Sequence, residues 1–463
     1  LTQSEVIAPV YGKTLLKIAG TAEEPVTNLH FKGLHWQHAK WDMPSSGYMG
    51  LAICTIAVGG DPYPSWQWRD ATVEFQYARS CSFVDGGVAH VGTCVGLCLR
   101  KGTESIVIEG NEIQDVGGGG IGAGYTENAA YGYVHAPSPE ENEFTGYRIA
   151  NNYVHHCGME DYAGFGIVLT EARDSVVSHN LVHDTAYFGM AVAGSQFQRE
   201  TPFAGNNKIE YNHIYNAMKV TVDGAGMYLT FAQKDHSSQV RGNVLHKIYP
   251  NRFSQRFNTQ PGPFLAAGIY LDGNATGYVL ENNVVYDTWG AFFGHGNSLW
   301  VDNIIQKKDT PPLEFIDAVQ ACAGLEPAYL RSILNVESAS CEYYQLATTE
   351  ETENSWTGYQ YHRPQSESGV LVVFRETESK TEQTRFKLQG LVSSANYDFK
   401  IWEGVEWNGQ NNLSEVQPVT NIETILAEGA TRKTGGDLME EGLLVKLTQC
   451  PQVIWITYQK SKQ

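Results

Sequence analysis

IANNYVHHCG (Ile149 to Gly158), VSHNLVHDTA (Val177 to Ala186) and IEYNHIYNAM (Ile209 to Met218) are three copies of one ten-residue unit. Four more carry the same text: IEGNEIQDVG from Ile108, VRGNVLHKIY from Val240, LENNVVYDTW from Leu280 and WVDNIIQKKD from Trp300. Each reads apolar, two variable, Asn, one variable, apolar. The aligned asparagines are Asn111, Asn152, Asn180, Asn212, Asn243, Asn283 and Asn303, at intervals of 41, 28, 32, 31, 40 and 20 residues. A short strand-forming unit of this kind cannot bury its apolar face alone and must stack on its neighbours. The shortest interval suits one coil of a right-handed parallel β-helix, and the longer ones read as a coil plus an insertion.

A second pattern falls between the asparagines. GLCL (Gly96), GIGA (Gly120), GIVL (Gly166), GMAV (Gly189), GMYL (Gly226) and GIYL (Gly268) predict short strands, each leaving a tight corner at its glycine. CSFVDGGVAHVG (Cys81 to Gly92) reads as an earlier coil with Gly86 in the Asn place, and NLHFKGL, with Gly33 at its corner, as the first coil. The asparagines are expected to be structural. Asn tolerates a left-handed corner conformation, and its amide can bond the Asn of the next coil.

The 463 residues are 42% hydrophobic and 18% charged, the balance of a folded globular chain. The formal net charge of −19, with no basic stripe, argues against nucleic acid, and a neutral partner is the easier match. No apolar run is long enough to span a membrane. Eight cysteines include the pair Cys94 and Cys98, which no second pair or nearby His cluster completes as a zinc site. Cys81, Cys94, Cys98 and Cys157 fall where small buried hydrophobes fit, and Cys322 could pair with Cys341. The opening LTQSEVIAPV reads as a start from which a leader or upstream segment is missing. On that reading the protein is secreted or periplasmic; otherwise it is cytoplasmic.

The repeat bounds a β-helix at residues 1–309. Residues 41–70 read as a loop over one face, and further excursions are expected at 125–146, 195–206 and 249–264. Leu313, Phe315, Ile316 and Val319 give a helical pattern ending at Gly324, expected to cover the open end of the stack within a 310–345 cap and linker. From 346 to 463 the alternating segments GVLVVFRE, RFKLQGL, NYDFKIWE, LLVKLTQ and QVIWITYQ predict a C-terminal antiparallel β-sandwich. The fold class is therefore all-β.

Asp223 in VDGAGMYLTF and Asp272 in AAGIYLDGNATG come from neighbouring coils. Paired carboxylates, one protonated, are what glycoside hydrolysis requires. As Asp-Gly dipeptides, both read equally as turn residues. Asp223 precedes its strand and Asp272 is expected to follow its own, so they meet only where the corner before Gly226 folds back over the strand face. Glu171, three coils earlier, would lie about 14 Å from Asp272, a subsite distance; the plainer reading is an exposed turn carboxylate. Tyr228 and Tyr270 share one strand position and are expected to form an aromatic ladder, facing either core or groove. His295, in FFGHGN, is a candidate contact for a substrate hydroxyl. His155, His156, His183, His213 and His246 show no metal-ligand spacing, and neither a metal nor a cofactor is expected.

Two resemblances rest on these residues. YQYHRP, GVLVVFR, FKLQGL, YDFKIWE, DLMEEGLLVKL and VIWITYQ resemble the C-terminal β-sandwich of α-galactosidases, an accessory domain. DGAGMYLT, SSQVRGNVLHKIY and AAGIYLDGNATG, with the upstream PVTNLHFKGLHWQHAKWDMPSSGYMG, resemble the bacterial β-helix proteins grouped around glycoside hydrolase family 141. That resemblance implies hydrolysis of a glycan, with Asp223 and Asp272 as the catalytic carboxylates. The chain departs from it at Ala225, where Gly is usual. The alternatives are a polysaccharide lyase on the same architecture, with Lys234, Arg241 and Lys247 as scattered basic candidates, and a non-catalytic carbohydrate-binding β-helix. Oligomeric state is not legible from the chain.

Overall fold

The computed structural model describes residues 12–41, 50–51, 54–58, 65–68, 70–92, 95–124, 144–193, 204–233, 236–250, 266–294, 298–301, 303–305, 313–334, 342–346, 356–375, 379–404, 417–419, 421, 425–426, 432–448 and 452–461. The chain divides into two compact units, residues 1–305 with 323–325, and residues 306–322 with 326–463.

The first unit is a parallel β-helix of three nine-stranded sheets, every strand pairing with its counterpart one coil on. Apolar residues line up in inward columns. Val73, Leu97, Ile121, Ile167, Met190, Met227 and Ile269 come from the first sheet; Phe83, Ile108, Ile149, Val177, Ile209, Val240 and Leu280 from the second; Val88, Ile113, Val154, Val182, Ile214, Leu245 and Val285 from the third. All are essentially inaccessible to solvent. Each contributes about 1.5–3 kcal/mol by leaving water, so the repeat of large hydrophobes at fixed coil positions is the main drive for stacking. Coils begin earlier than the text suggests: Leu16–Ala19 already pairs with Ala71–Gln76 in the first sheet.

The asparagine column forms an unbroken ladder from Asn111 to Asn303. Asn180 is representative. Its Nδ2 donates to Asn212 Oδ1 and Ile149 O, both at 2.9 Å, and its backbone N–H donates to Asn212 Oδ1 at 3.0 Å. Gly86, in the Asn place, donates its N–H to Asn111 Oδ1 at 3.0 Å. The left-handed residue, however, is the one before. Gly110, Asn151, His179, Tyr211, Gly242 and Asn282 have φ from 53° to 70°, whereas no ladder asparagine among the described residues has positive φ. Turning the chain one residue early leaves each Asn in ordinary backbone geometry with its amide directed along the stack.

The glycine column also serves a different purpose from the one its position suggests. None of Gly96, Gly120, Gly166, Gly189, Gly226 and Gly268 has positive φ. A Cβ at Gly166 would sit 2.3 Å from Val182 Cγ1, and one at Gly268 2.2 Å from Val285 Cγ1. Glycine is needed there because the third sheet's core side chains occupy the space.

Residues 41–70, read as a loop, contain a three-stranded antiparallel sheet of Gly50–Leu51, Thr55–Val58 and Ser65–Trp68. Cys81, Cys98 and Cys157 are buried and outside any disulfide, as expected, and so is Cys54, while Cys94 lies outside the described residues. Cys322 is disulfide-bonded, while Cys341 lies outside the described residues.

In the second unit the predicted helix spans Leu313–Cys322, followed by Pro327–Leu334. The helix 313–322 packs on strands Trp356–Arg363 and Ser368–Arg375 of its own unit. Strands fall on all five segments predicted for the C-terminal region, although RFKLQGL is strand only at Arg385 and Phe386, the end of Gln383–Phe386. Four strands at the centre of its larger antiparallel sheet run in the order 356–363, 368–375, 452–460, 396–404, and the pair 383–386 and 443–446 forms a separate antiparallel sheet. Leu371, Val373, Ile454 and Ile456 of the larger sheet share a core with Phe386, Leu443 and Val445 of the smaller.

Candidate active site

Residues alternating with the inward columns of the first sheet face outward and build a second apolar cluster from Cys98, Val168, Ala191, Tyr228 and Tyr270, joined by Phe165, Phe188 and Cys54. This answers the question left open by the alternation: Tyr228 lies between inward Met227 and Leu229, Tyr270 between inward Ile269 and Leu271, and both tyrosines belong to the outer face. They do not stack in parallel as a ladder would. Their rings meet edge to face, centroids 5.1 Å apart at 76°, and Tyr270 meets Phe293 in the same way at 4.7 Å. Tyr228 stacks instead on Phe188, at 4.5 Å and 26°. With only 8% and 6% exposure, the two tyrosines offer little open ring surface for a sugar.

Asp272 lies inside the strand Ala267–Thr276, not after it. It pairs in register with Thr230 and faces outward two residues beyond Tyr270, with inward Leu271 between them. Its Oδ1 accepts the Gly273 N–H at 2.7 Å, and its Oδ2 accepts a short bond from the Tyr228 hydroxyl. Asp223 holds a left-handed conformation, φ 61°, just ahead of the strand Ala225–Ala232. The corner is pinned from both sides. The Tyr187 hydroxyl donates to the Asp223 carbonyl at 2.7 Å, and Gly224 leaves room for the rings of Tyr187 and Phe188, which a Cβ would meet at 2.7–2.8 Å. Folded this way, the corner carries the Asp223 carboxylate over the outer face, where Tyr270 hydrogen-bonds to it.

The bonds therefore cross between coils: Tyr228, from the strand after Asp223, serves Asp272, and Tyr270, from the strand of Asp272, serves Asp223. Burial, and then the charge of Asp272, raise the Asp223 pKa above its ordinary value; the Tyr270 bond pulls it back in part. Burial and both carboxylates push the Tyr270 phenol far up, so it remains a protonated donor. Two acids that feel each other, one of them biased toward its protonated form, can donate and accept a proton across a bound bond.

Glu171 occupies the left-handed corner after strand Ile167–Thr170, with φ 52°. Thr170, Ala193, Thr230 and Asp272 form one row through successive coils, which puts Glu171 one residue past that row and three coils from Asp272. It is 4% exposed, not the exposed turn carboxylate of the plainer reading. His295 and Lys234 lie outside the described residues. Arg241 belongs to the second sheet, bonded to Glu210 at 3.2 Å, and Lys247 to the third, so neither of these basic candidates stands on the face that carries the aspartates.

The sequence reading found no metal-ligand spacing among the histidines; the fold nevertheless brings three possible ligands together. Ligand atoms of His156, His183 and Asp184 lie within 4.8 Å of one another on the third sheet. The residues are one coil apart, a separation that varies with insertion length and leaves no fixed motif. The recurring phase relative to each Asn was the available signal.

Residues 94–285 match the family model for a right handed beta helix region. Among solved structures the chain is similar to one described as a glycoside hydrolase, with 20% identity over 69% of this chain and 53% of that one and a TM-score of 0.55. The chain thus spans about half the length of that relative. More remote likenesses are to XylC in complex with xylose (14% identity, 50% of this chain and 37% of that one, TM-score 0.32) and to a periplasmic alginate epimerase (15%, 51% and 56%, 0.29). A comparison with curated proteins gives no match.

Proposed function

We propose that the protein is a glycoside hydrolase acting on a neutral poly- or oligosaccharide laid across the outer face of the first sheet. Asp223 is the general acid and Asp272 the nucleophile or base. The observation that carries this reading is the crossed pair of tyrosine–aspartate bonds, which holds two mutually sensed carboxylates on one face, where burial and the charge of Asp272 bias Asp223 toward its acid form. Asp223 protonates the leaving oxygen, while Asp272, held by Tyr228 and the Gly273 N–H, acts at the carbon where positive charge develops. Glu171 serves a more distant subsite, and Tyr228 and Tyr270 act as positioning residues. The described relative with a TM-score above 0.5 is a glycoside hydrolase, which is compatible with this chemistry on a shared fold.

The test is a panel of polysaccharides and aryl glycosides, read by reducing-sugar release. Asp223→Asn and Asp272→Asn are each expected to lose at least about a thousandfold in kcat while retaining the wild-type circular dichroism spectrum. Products that absorb in the ultraviolet from an unsaturated sugar would assign a lyase. Binding of a glycan without turnover, unchanged in both variants, would leave a carbohydrate-binding module. The anomer first released by the wild type, read by proton NMR, distinguishes a nucleophilic from a base role for Asp272.

A further inference from the structure

Along the third sheet, each coil turns two residues toward one outer strip: the residue three after the ladder Asn, and the left-handed residue four after it. In coil order the pairs are Gln114/Asp115, His155/His156, His183/Asp184, Tyr215/Asn216, His246/Lys247 and Tyr286/Asp287. Adjacent coils place these pairs one above the other, at the sheet's spacing of about 4.8 Å. Only between the second and third pairs are all four positions His or carboxylate, giving three imidazoles and one carboxylate.

The contacts within that block are close. His155 and His183 rings stack with centroids 5.1 Å apart at 15°. His155 Nδ1 lies 2.7 Å from His156 Nδ1, and His183 Nδ1 lies 2.6 Å from Asp184 Oδ2. Supporting residues hold the donors from behind. Tyr153 OH meets His183 Nε2 at 2.9 Å, and Asn216 Nδ2 donates to Asp184 Oδ1 at 2.7 Å, with Lys219 on the same oxygen. These bonds turn His183 Nδ1 and Asp184 Oδ2 toward each other and toward His156, which opens to solvent.

We propose that His156, His183 and Asp184, with His155 hydrogen-bonded to His156, form a binding site for a divalent transition ion of the borderline class, with Zn(II) as its simplest representative. Imidazole nitrogen with one carboxylate oxygen is a donor set that suits Zn(II) and its neighbours rather than Ca(II) or Mg(II). Ligand atoms around a tetrahedral ion with bonds of about 2.1 Å stand roughly 3.4 Å apart. Rotation of the exposed His156 ring closes the remaining gap. The partners of His183 Nε2 and Asp184 Oδ1 then act as the outer shell that fixes ring orientation. The site occupies a different sheet from Asp223 and Asp272, and it stands or falls independently of the hydrolase reading.

Titration of the full chain with zinc chloride in a calorimeter at neutral pH tests it. The expected result is saturable uptake of one ion per chain, weakened roughly tenfold or more in His156→Ala and in Asp184→Asn. His213→Gln, which alters the separate His213–His246 pair, is expected to bind as the wild type does. His156 is exposed and Asp184→Asn is isosteric, so both variants should keep the wild-type circular dichroism spectrum. Absence of saturable uptake below about millimolar zinc, or uptake that survives both variants unchanged, would overturn the proposal.

Discussion

Tyr270 and Tyr228 differ in what their hydroxyls do for the acids they touch. Tyr270 stabilises the ionised form of Asp223, so removing it raises an already raised pKa. Tyr270→Phe should therefore move the alkaline limb of kcat/KM to higher pH, since the acid stays protonated further up the scale; an unmoved or lowered limb would contradict the assignment of Asp223 as acid. Tyr228→Phe removes a bond that orients Asp272 and should lower kcat by about ten- to a hundredfold with KM little changed, measurable in steady-state kinetics on any turned-over glycoside. Both aspartates were legible as candidates because they flank recurring strands. That Asp272 stands within its strand follows from its pairing with Thr230 one coil earlier, and that Asp223 is carried over the outer face depends on a corner whose conformation is held by Tyr187, 36 residues earlier.

The ladder and the glycine column are properties of stacked elements, and their cost of disruption is set by coils above and below. In Asn212→Ala, the N–H of Asn180, one of its two Nδ2 bonds and the carbonyl of Val177 lose the Asn212 amide inside a buried stack. Stranding buried polar groups in this way should cost about 3–5 kcal/mol, seen as a lower denaturant midpoint for the β-helix transition. Gly166→Ala should cost about 1–3 kcal/mol by the same measurement, because its Cβ meets the core side of Val182 and the carbonyl of Gly189. The ladder was readable from Asn spacing, since an amide is one of few side chains that both donates and accepts along a stack. The role of the glycines was not, since a glycine required by a turn and one required by a neighbour's methyl group look alike in text.

Stability of the whole β-helix should depend on pH through its third-sheet histidines. Burial, and then His246 and His183, lower the His213 pKa from 6.5 to about 3; burial, and then Lys247, lower that of His246 to about 4, against a raising influence from Asp287. Both hold fewer protons in the folded state than in the unfolded chain. Their contribution is thus complete above about pH 6.5 and is lost as pH falls toward 4. The melting temperature should drop over that interval, and His246→Phe should flatten the drop; an equal slope in the variant would show that the acid sensitivity arises elsewhere. Stacking positions, ladder asparagines and the strand pattern of both units were written in the chain, because they recur at every coil and each copy reports the same local constraint. Which side chains meet on the outer faces was set by the folded molecule. Insertions of unequal length separate register partners by intervals that follow no rule until the coils are laid one on another, and so the Tyr–Asp crossing and the histidine block come into view only in three dimensions.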